Sequence, residues 1–203
     1  MDSTNTNTTE CRMFLPFQAV VNFFKEPSGA KCPECYSVFI DDACPNLDCP
    51  VKVSEWITHW CSPEAAKIPA LGQAKAGQLA KLRLVLHPGE LYELAQGDWD
   101  QLEGISAEQL ADIQGQMEGS KSAEPSAVLY GLKLPGVDER LAKHLIEVFS
   151  SIDGLRVSKP ERLQQIEGID EEQCVEICRW FRDSVNKKAL IMLEQNGFNL
   201  GEQ

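Results

Sequence analysis

Cys32, Cys35, Cys44 and Cys49 stand in the pattern C-x2-C-x8-C-x4-C within CPECYSVFIDDACPNLDCP, residues 32–50. A divalent zinc ion takes four soft ligands at tetrahedral corners; a C-x2-C pair supplies two from one tight turn, and a second pair closes the site from a facing loop. Pro33, Pro45 and Pro50 each follow a cysteine and stiffen the turns where the ligands converge. Four thiolates leave no open position for water, so the spacing predicts a structural Zn2+ and not a catalytic one. In zinc-finger peptides such an ion contributes about 10–16 kcal/mol of folding free energy, ample for a short segment with little core of its own.

The other cysteines read differently. Cys174 and Cys178, four apart in EEQCVEICRWF, fall on one face of a predicted helix and suit core packing; Cys11 and Cys61 have no partner at ligand spacing. His59 is expected to pack or to bond near a helix end, because the quartet is complete without it. The first ten residues, MDSTNTNTTE, lack the basic start of a secretory signal and read as a tail. Met13–Phe24 (MFLPFQAVVNFF) is too short and too polar to span a bilayer, which needs about 20 apolar residues. A cytoplasmic protein with reduced thiols and no membrane partner is the expectation.

The elements that must position this chemistry change character after residue 54. A phrase of hydrophobic, x, Gly, hydrophobic, small residue recurs as LEGIS (102–106), LPGVD (134–138) and IEGID (166–170), with IPALG (68–72) as a variant. Its starts are 34, 32 and 32 residues apart, which marks an internal repeat. Helical periodicity follows each phrase, with Leu141, Leu145 and Val148 after the third and Cys174, Ile177 and Phe181 after the fourth. Ser106 with Gln109, and Asp170 with Gln173, have the spacing of capping boxes. Pro63, Pro88 and Pro160 are predicted in first turns of further helices. Short strands are predicted around the cysteines, and one more within 13–24. Trp99, Trp180 and Phe181 are expected in the core.

The fold expected is mostly α: four helix–hairpin–helix motifs preceded by a small zinc-ribbon-like module built on the four cysteines. Residues 1–30 form a tail with a short apolar segment, 31–61 the zinc finger, 62–198 the helical domain and 199–203 a second tail. Hairpin glycines let backbone approach a phosphate, and free N–H groups at the following helix start point at it. Such contacts set register on a duplex without reading sequence. The candidate phosphate-contacting residues are Gly72, Lys75, Gly104, Ser106, Gly136 and Gly168.

Through CPEC, CPNLDCP, WITHWCSPEAAKIPALG, LEGISAEQLADIQGQMEGSK, VLYGLKLPGVDERLAKHLIEVF and LQQIEGIDEEQCVEICRWF, residues 32–198 resemble the C-terminal region of bacterial NAD-dependent DNA ligases. The resemblance implies a four-cysteine zinc finger followed by four helix–hairpin–helix motifs that grip DNA at a nick. The lysine that becomes adenylated in those ligases lies in a K-x-D-G motif, absent from this sequence. Neither the oligonucleotide-binding barrel before the finger nor the family's terminal domain after 198 is expected within these 203 residues. The chain is therefore expected to carry no catalytic residues, to take no NAD and to be no enzyme on its own.

The hairpins also depart from the ligase pattern. Ala70 replaces the first glycine of motif one, and Ser106, Asp138 and Asp170 replace the second in motifs two to four. These are good helix caps, but a carboxylate at Asp138 or Asp170 would occupy the N–H cluster that should receive a phosphate. Twelve-residue windows from each hairpin carry +1, -3, 0 and -5, within a chain of net charge -12. Nonspecific affinity for DNA comes mainly from cations displacing counterions, so double-stranded DNA is expected to bind weakly, with nicked or branched forms preferred. A bland alternative leaves these acids as solvated faces and lets Lys52, Lys67, Lys75, Lys81, Arg83, Lys121, Lys133, Arg140 and Lys143 touch DNA. The leading reading is a non-catalytic DNA-binding or DNA-repair accessory module. Two others stand beside it: a protein-interaction module that has lost DNA binding, and one subunit of a split ligase.

Overall fold

The computed structural model describes residues 29–201. The expected tail and the strand within 13–24 lie outside the described residues. Packing divides the chain into two compact units, Met1–Asn46 and Leu47–Gln203.

In the first unit the chain doubles back twice. Tyr36 N donates to Cys32 O at 2.8 Å and Cys32 N to Ser37 O at 2.9 Å, so the first knuckle closes around Tyr36 in the left-handed region (φ 58). Ile40 and Ala43 exchange backbone bonds of 2.9 and 3.0 Å around Asp41 and Asp42, which also take positive φ. Short polar side chains such as Asp adopt that conformation at less cost than most, which suits this turn. The strands predicted here are reduced to isolated antiparallel bridges, Lys31 with Val38 and Ile40 with Ala43. Successive turns leave no run of extended backbone long enough for a ladder.

The second unit is helical. Its elements are α1 (Pro50–Trp60), α2 (Gly72–Lys81), a 3-10 helix (Pro88–Glu93), α3 (Gln96–Trp99), α4 (Ala107–Ser120), α5 (Pro125–Gly131), α6 (Glu139–Phe149), α7 (Ile152–Arg156), α8 (Pro160–Leu163), α9 (Glu171–Arg182) and α10 (Ser184–Gln195). The pairs α1/α2, α3/α4, α5/α6 and α8/α9 flank the four hairpins. Pro50, Pro88, Pro125 and Pro160 each sit in a first turn, where the missing N–H costs nothing. Pro63 does not: Lys67 N returns to Ser62 O at 3.0 Å and Ile68 N to Cys61 O at 3.0 Å, with Lys67 at φ 57, so this stretch closes as a turn instead of a helix.

Amphipathic spacing explains the packing. α1 buries Val53, Ile57 and Trp60; α6 buries Ala142, Leu145 and Phe149; α9 buries Cys174, Ile177 and Phe181. Leu79, Leu129, Leu132 and Leu145 are fully enclosed, and each such side chain contributes roughly 1.5–3 kcal/mol. A Cβ at Gly131 would lie 2.7 Å from Trp60 Cε3, so glycine lets the two meet. Trp60 Nε1 donates to Tyr92 Oη (3.1 Å), and the Tyr92 hydroxyl meets Ser120 Oγ (2.7 Å), which donates to Met117 O (2.6 Å). These bonds satisfy polar atoms that burial would otherwise penalise. Phe198 then packs on Trp60 and Tyr92, which ties the C-terminal stretch to the core. Trp99 and Phe181 are buried, as expected, whereas Trp180 is half-buried, packed against the core from its edge. No helix among the described residues is long and apolar enough to cross a membrane.

Candidate metal centre and nucleic-acid interface

The four thiols chosen from spacing converge. Sγ atoms of Cys32, Cys35, Cys44 and Cys49 all lie within 4.8 Å of one another, with Cys35 and Cys44 3.4 Å apart. A tetrahedral ion with metal–sulfur bonds of about 2.3 Å requires sulfur–sulfur edges of about 3.8 Å, so the quartet fits a closed four-thiolate site. Cys32 and Cys49 are buried, and Cys49 immediately precedes α1. The hydroxyl and then the backbone amide of Ser37 stabilise the Cys35 thiolate and bring its pKa down to about 6. The thiolate is the form a metal takes. Cys61, by contrast, is a core thiol that burial pushes up to about 12, and Cys174 donates to Pro160 O at 3.3 Å. His59 Nε2 lies 2.9 Å from Tyr130 O and its ring packs on Tyr130, away from the quartet.

The hairpins show how glycine is used. In motifs three and four Val137 N donates to Leu134 O (3.1 Å) and Ile169 N to Ile166 O (3.2 Å), with Gly136 at φ 68 and Gly168 at φ 92. Positive φ at the third residue is the mark of a type II turn and excludes most side chains. Motif one closes the same bond, Leu71 N to Ile68 O at 3.2 Å, with Ala70 outside the positive-φ set and Gly72 at φ 62. The alanine there has shifted the left-handed residue two positions along.

At the helix starts the substituted residues cap as their chemistry predicts. Ser106 Oγ accepts from Gln109 N at 3.1 Å, Asp138 Oδ1 from Leu141 N at 2.7 Å, and Asp170 Oδ1 from Gln173 N at 2.8 Å. Ser106 and Gln109 complete a capping box. Gln173 does not return to its own cap: its Nε2 donates to Gly136 O at 2.9 Å and clasps hairpin three to helix α9. The α2 start has no side-chain cap.

A corresponding clasp joins motifs one and two. Lys75 Nζ donates to Glu103 O at 2.5 Å and Gly104 O at 2.9 Å, Gln78 Oε1 accepts from Glu103 N at 2.8 Å, and Gln116 Oε1 accepts from Ala70 N at 2.9 Å. Gln78, Gln116 and Gln173 are the residues that spacing alone missed. Ala70 N and Glu103 N thus join the hairpin amides already bonded within the chain. Among the alternative cations, Lys121 pairs with Glu118 (2.7 Å), Lys143 with Glu139 (2.5 Å) and Lys133, more loosely, with Glu55 (3.9 Å). Hairpins three and four border a polar groove of about 770 Å3 in which Asp138, Glu139, Glu147 and Glu167 face Arg140, Lys143 and His144.

Repeated hairpins and capped helices define a helix–hairpin–helix architecture, and the four-thiol knuckle has the ligand set of a metal site. A helix–hairpin–helix motif family model matches residues 127–190, the third and fourth motifs. The chain is similar to curated DNA ligases: that of Koribacter versatilis is 30% identical over 180 residues, 86% of this chain and 26% of the ligase. That of a Synechococcus strain is 30% identical over 172 residues, 82% and 26% of the two chains, and that of Rubrobacter xylanophilus 33% over 158 residues, 78% and 23%. The chain spans about a quarter of the length of these relatives.

Proposed function

We propose that this chain is a non-catalytic, DNA-repair accessory module that grips duplex DNA through its hairpins, with a structural Zn2+ held by Cys32, Cys35, Cys44 and Cys49. The observation that carries this reading is the set of four hairpins clasped in two pairs, which holds the loop backbones rigid while leaving the α2 start without a side-chain cap. Preformed amides lose little entropy on meeting a phosphate, and a helix start attracts its charge. Lys75 supports the same surface. An ammonium has three donors, two of which hold hairpin two, so one remains for a phosphate oxygen beside Gly72 and Gly104.

The contacts are weakened at motifs two to four. There Ser106, Asp138 and Asp170 take the amides near Gly104, Gly136 and Gly168, and the two carboxylates add repulsion. Each neutralised phosphate contributes a slope of about -0.9 in log K against log salt. Fluorescence anisotropy on nicked, gapped and intact duplex across a salt series tests the reading. Binding that prefers the nick, with a slope of about -2 to -3, is expected; no binding to any duplex at low salt overturns it.

A protein-interaction role is favoured by one feature, a largely apolar groove of about 510 Å3 beside α1 and α9. The half-buried Trp56 and Trp180 line it together with Leu47, Leu132 and Pro135. Tryptophans at the edge of an apolar groove are common anchors in interfaces. Absence of DNA binding in the same titration would favour that role.

A further inference from the structure

The cleft bordered by α7, α8, α9 and α10 differs in charge from the rest of this acidic chain. It encloses about 320 Å3, and its lining holds three cations and no acid. The floor is apolar, from the buried Leu155, Leu163 and Phe181. Arg156 at its mouth pairs with Asp153 at 2.7 Å. Arg182 and Lys187 make no side-chain hydrogen bond or ion pair among the described residues. Ser158 Oγ, also in the lining, is shut off from solvent and has no partner.

Of these, the enclosed Ser158 hydroxyl carries a desolvation cost that a ligand would offset. Arg182 ends α9, where the helix dipole favours a cation, so its position alone has an ordinary explanation. Lys187 has none. It lies in the first turns of α10, where the dipole disfavours positive charge, and it faces a cleft already bearing two guanidinium groups.

We propose that this cleft binds a small phosphomonoester whose organic part is apolar or planar. With Asp153 offsetting Arg156, two positive charges remain, the complement of a phosphomonoester dianion. Guanidinium forks take phosphate oxygens in pairs, the ammonium adds a point charge, and Ser158 Oγ donates to a further oxygen. The apolar floor covers the organic group. The volume falls near the lower end of small-ligand pockets, about 300–1,000 Å3, and suits a ring-sized substituent. The charged end of the site lies away from the hairpin amides: Asp170 and Arg182 bracket the twelve residues of α9, a span of about 18 Å. Its occupancy therefore does not rest on DNA binding.

Phenyl phosphate is the probe. Titrated into the isotope-labelled full chain, it is expected to give saturable amide shifts around 155–163 and 178–191. Inorganic phosphate should bind there more weakly and phenol not at all. Arg182→Gln and Lys187→Gln, both exposed positions, should each weaken phenyl phosphate about three- to tenfold, and Ser158→Ala should weaken it as well. Four outcomes would overturn the assignment: no saturable shift in these segments, shifts on the hairpin amides instead, unchanged affinity in both charge variants, or inorganic phosphate binding as tightly as phenyl phosphate.

Discussion

Gly136→Ala tests whether motifs three and four are held together as the structure implies. Gly136 sits at φ 68, where an alanine costs about 1–2 kcal/mol relative to its preferred conformations. A Cβ there would also lie 2.6 Å from Gln173 Nε2. Gln173 is a flexible side chain, so it swings away and gives up its 2.9 Å bond to Gly136 O, a further loss of about 0.5–1 kcal/mol at this exposed position. Gly168→Ala supplies the comparison, since φ is 92 and nothing lies within 4 Å of its Cβ. Urea unfolding followed by helical circular dichroism should show Gly136→Ala destabilising by about 2 kcal/mol, and Gly168→Ala through backbone strain alone. In a Gln173→Ala background the cost of Gly136→Ala should fall by about 0.5–1 kcal/mol, because the clash and the bond are already gone. Equal costs for the two glycines, together with no coupling to Gln173, would refute the clasp.

Cys32→Ser or Cys49→Ser should release zinc and loosen the knuckle while leaving the helical signal largely intact; metal analysis with limited proteolysis checks this, and an unchanged digestion pattern counts against it. His87 is 1% exposed and both its ring nitrogens lack hydrogen-bond partners, so burial lowers its pKa below the usual 6.5, although Glu90, 3.5 Å away, pulls the other way. Its ring stays neutral when folded, and the unfolded chain takes up the proton first. Stability should therefore be full above about pH 6.5 and fall as the solution is acidified below it, with His87→Gln flattening that loss in a pH series of urea midpoints. Burial opposes the charge on Glu90, but the bonds from Lys188 and Leu86 N outweigh it, and the lowered pKa adds a second loss at still lower pH. Incubated with NAD and nicked duplex, this chain alone should form no covalent enzyme–adenylate, and a labelled band on a denaturing gel would overturn that expectation.

Local chemistry was legible and long-range pairing was not. A glycine before a small polar residue can be read as a positive-φ turn followed by a cap, which Gly104–Ser106, Gly136–Asp138 and Gly168–Asp170 are. Proline after cysteine could be read as a knuckle, and Cys32, Cys35, Cys44 and Cys49 meet. Gln78 and Gln116, however, look like solvated helix-face residues, Lys75 reads as a phosphate contact and Gln173 as a capping-box partner, until the fold brings each to a hairpin 25 to 46 residues away. No local pattern distinguishes a glutamine that clasps a carbonyl from one that faces water. Trp180 misled for a related reason. Helical spacing beside Phe181 suits a core position, but the neighbouring elements leave one side of its ring on an open groove. Pro63 has a proline's compatibility with a first turn, yet the left-handed Lys67 closes the chain before a helix can form.

Replacing Asp138 and Asp170 by Asn keeps an N-cap of equal quality while removing two negative charges beside the hairpin amides. Each carboxylate within about 4 Å of a phosphate costs about 1 kcal/mol in water, so D138N/D170N should tighten binding to a nicked duplex about ten- to thirtyfold at low salt, with little change in urea midpoint. Affinity unchanged in the double variant, with the fold intact, would contradict the claim that acidic caps stand where the nucleic-acid backbone should dock.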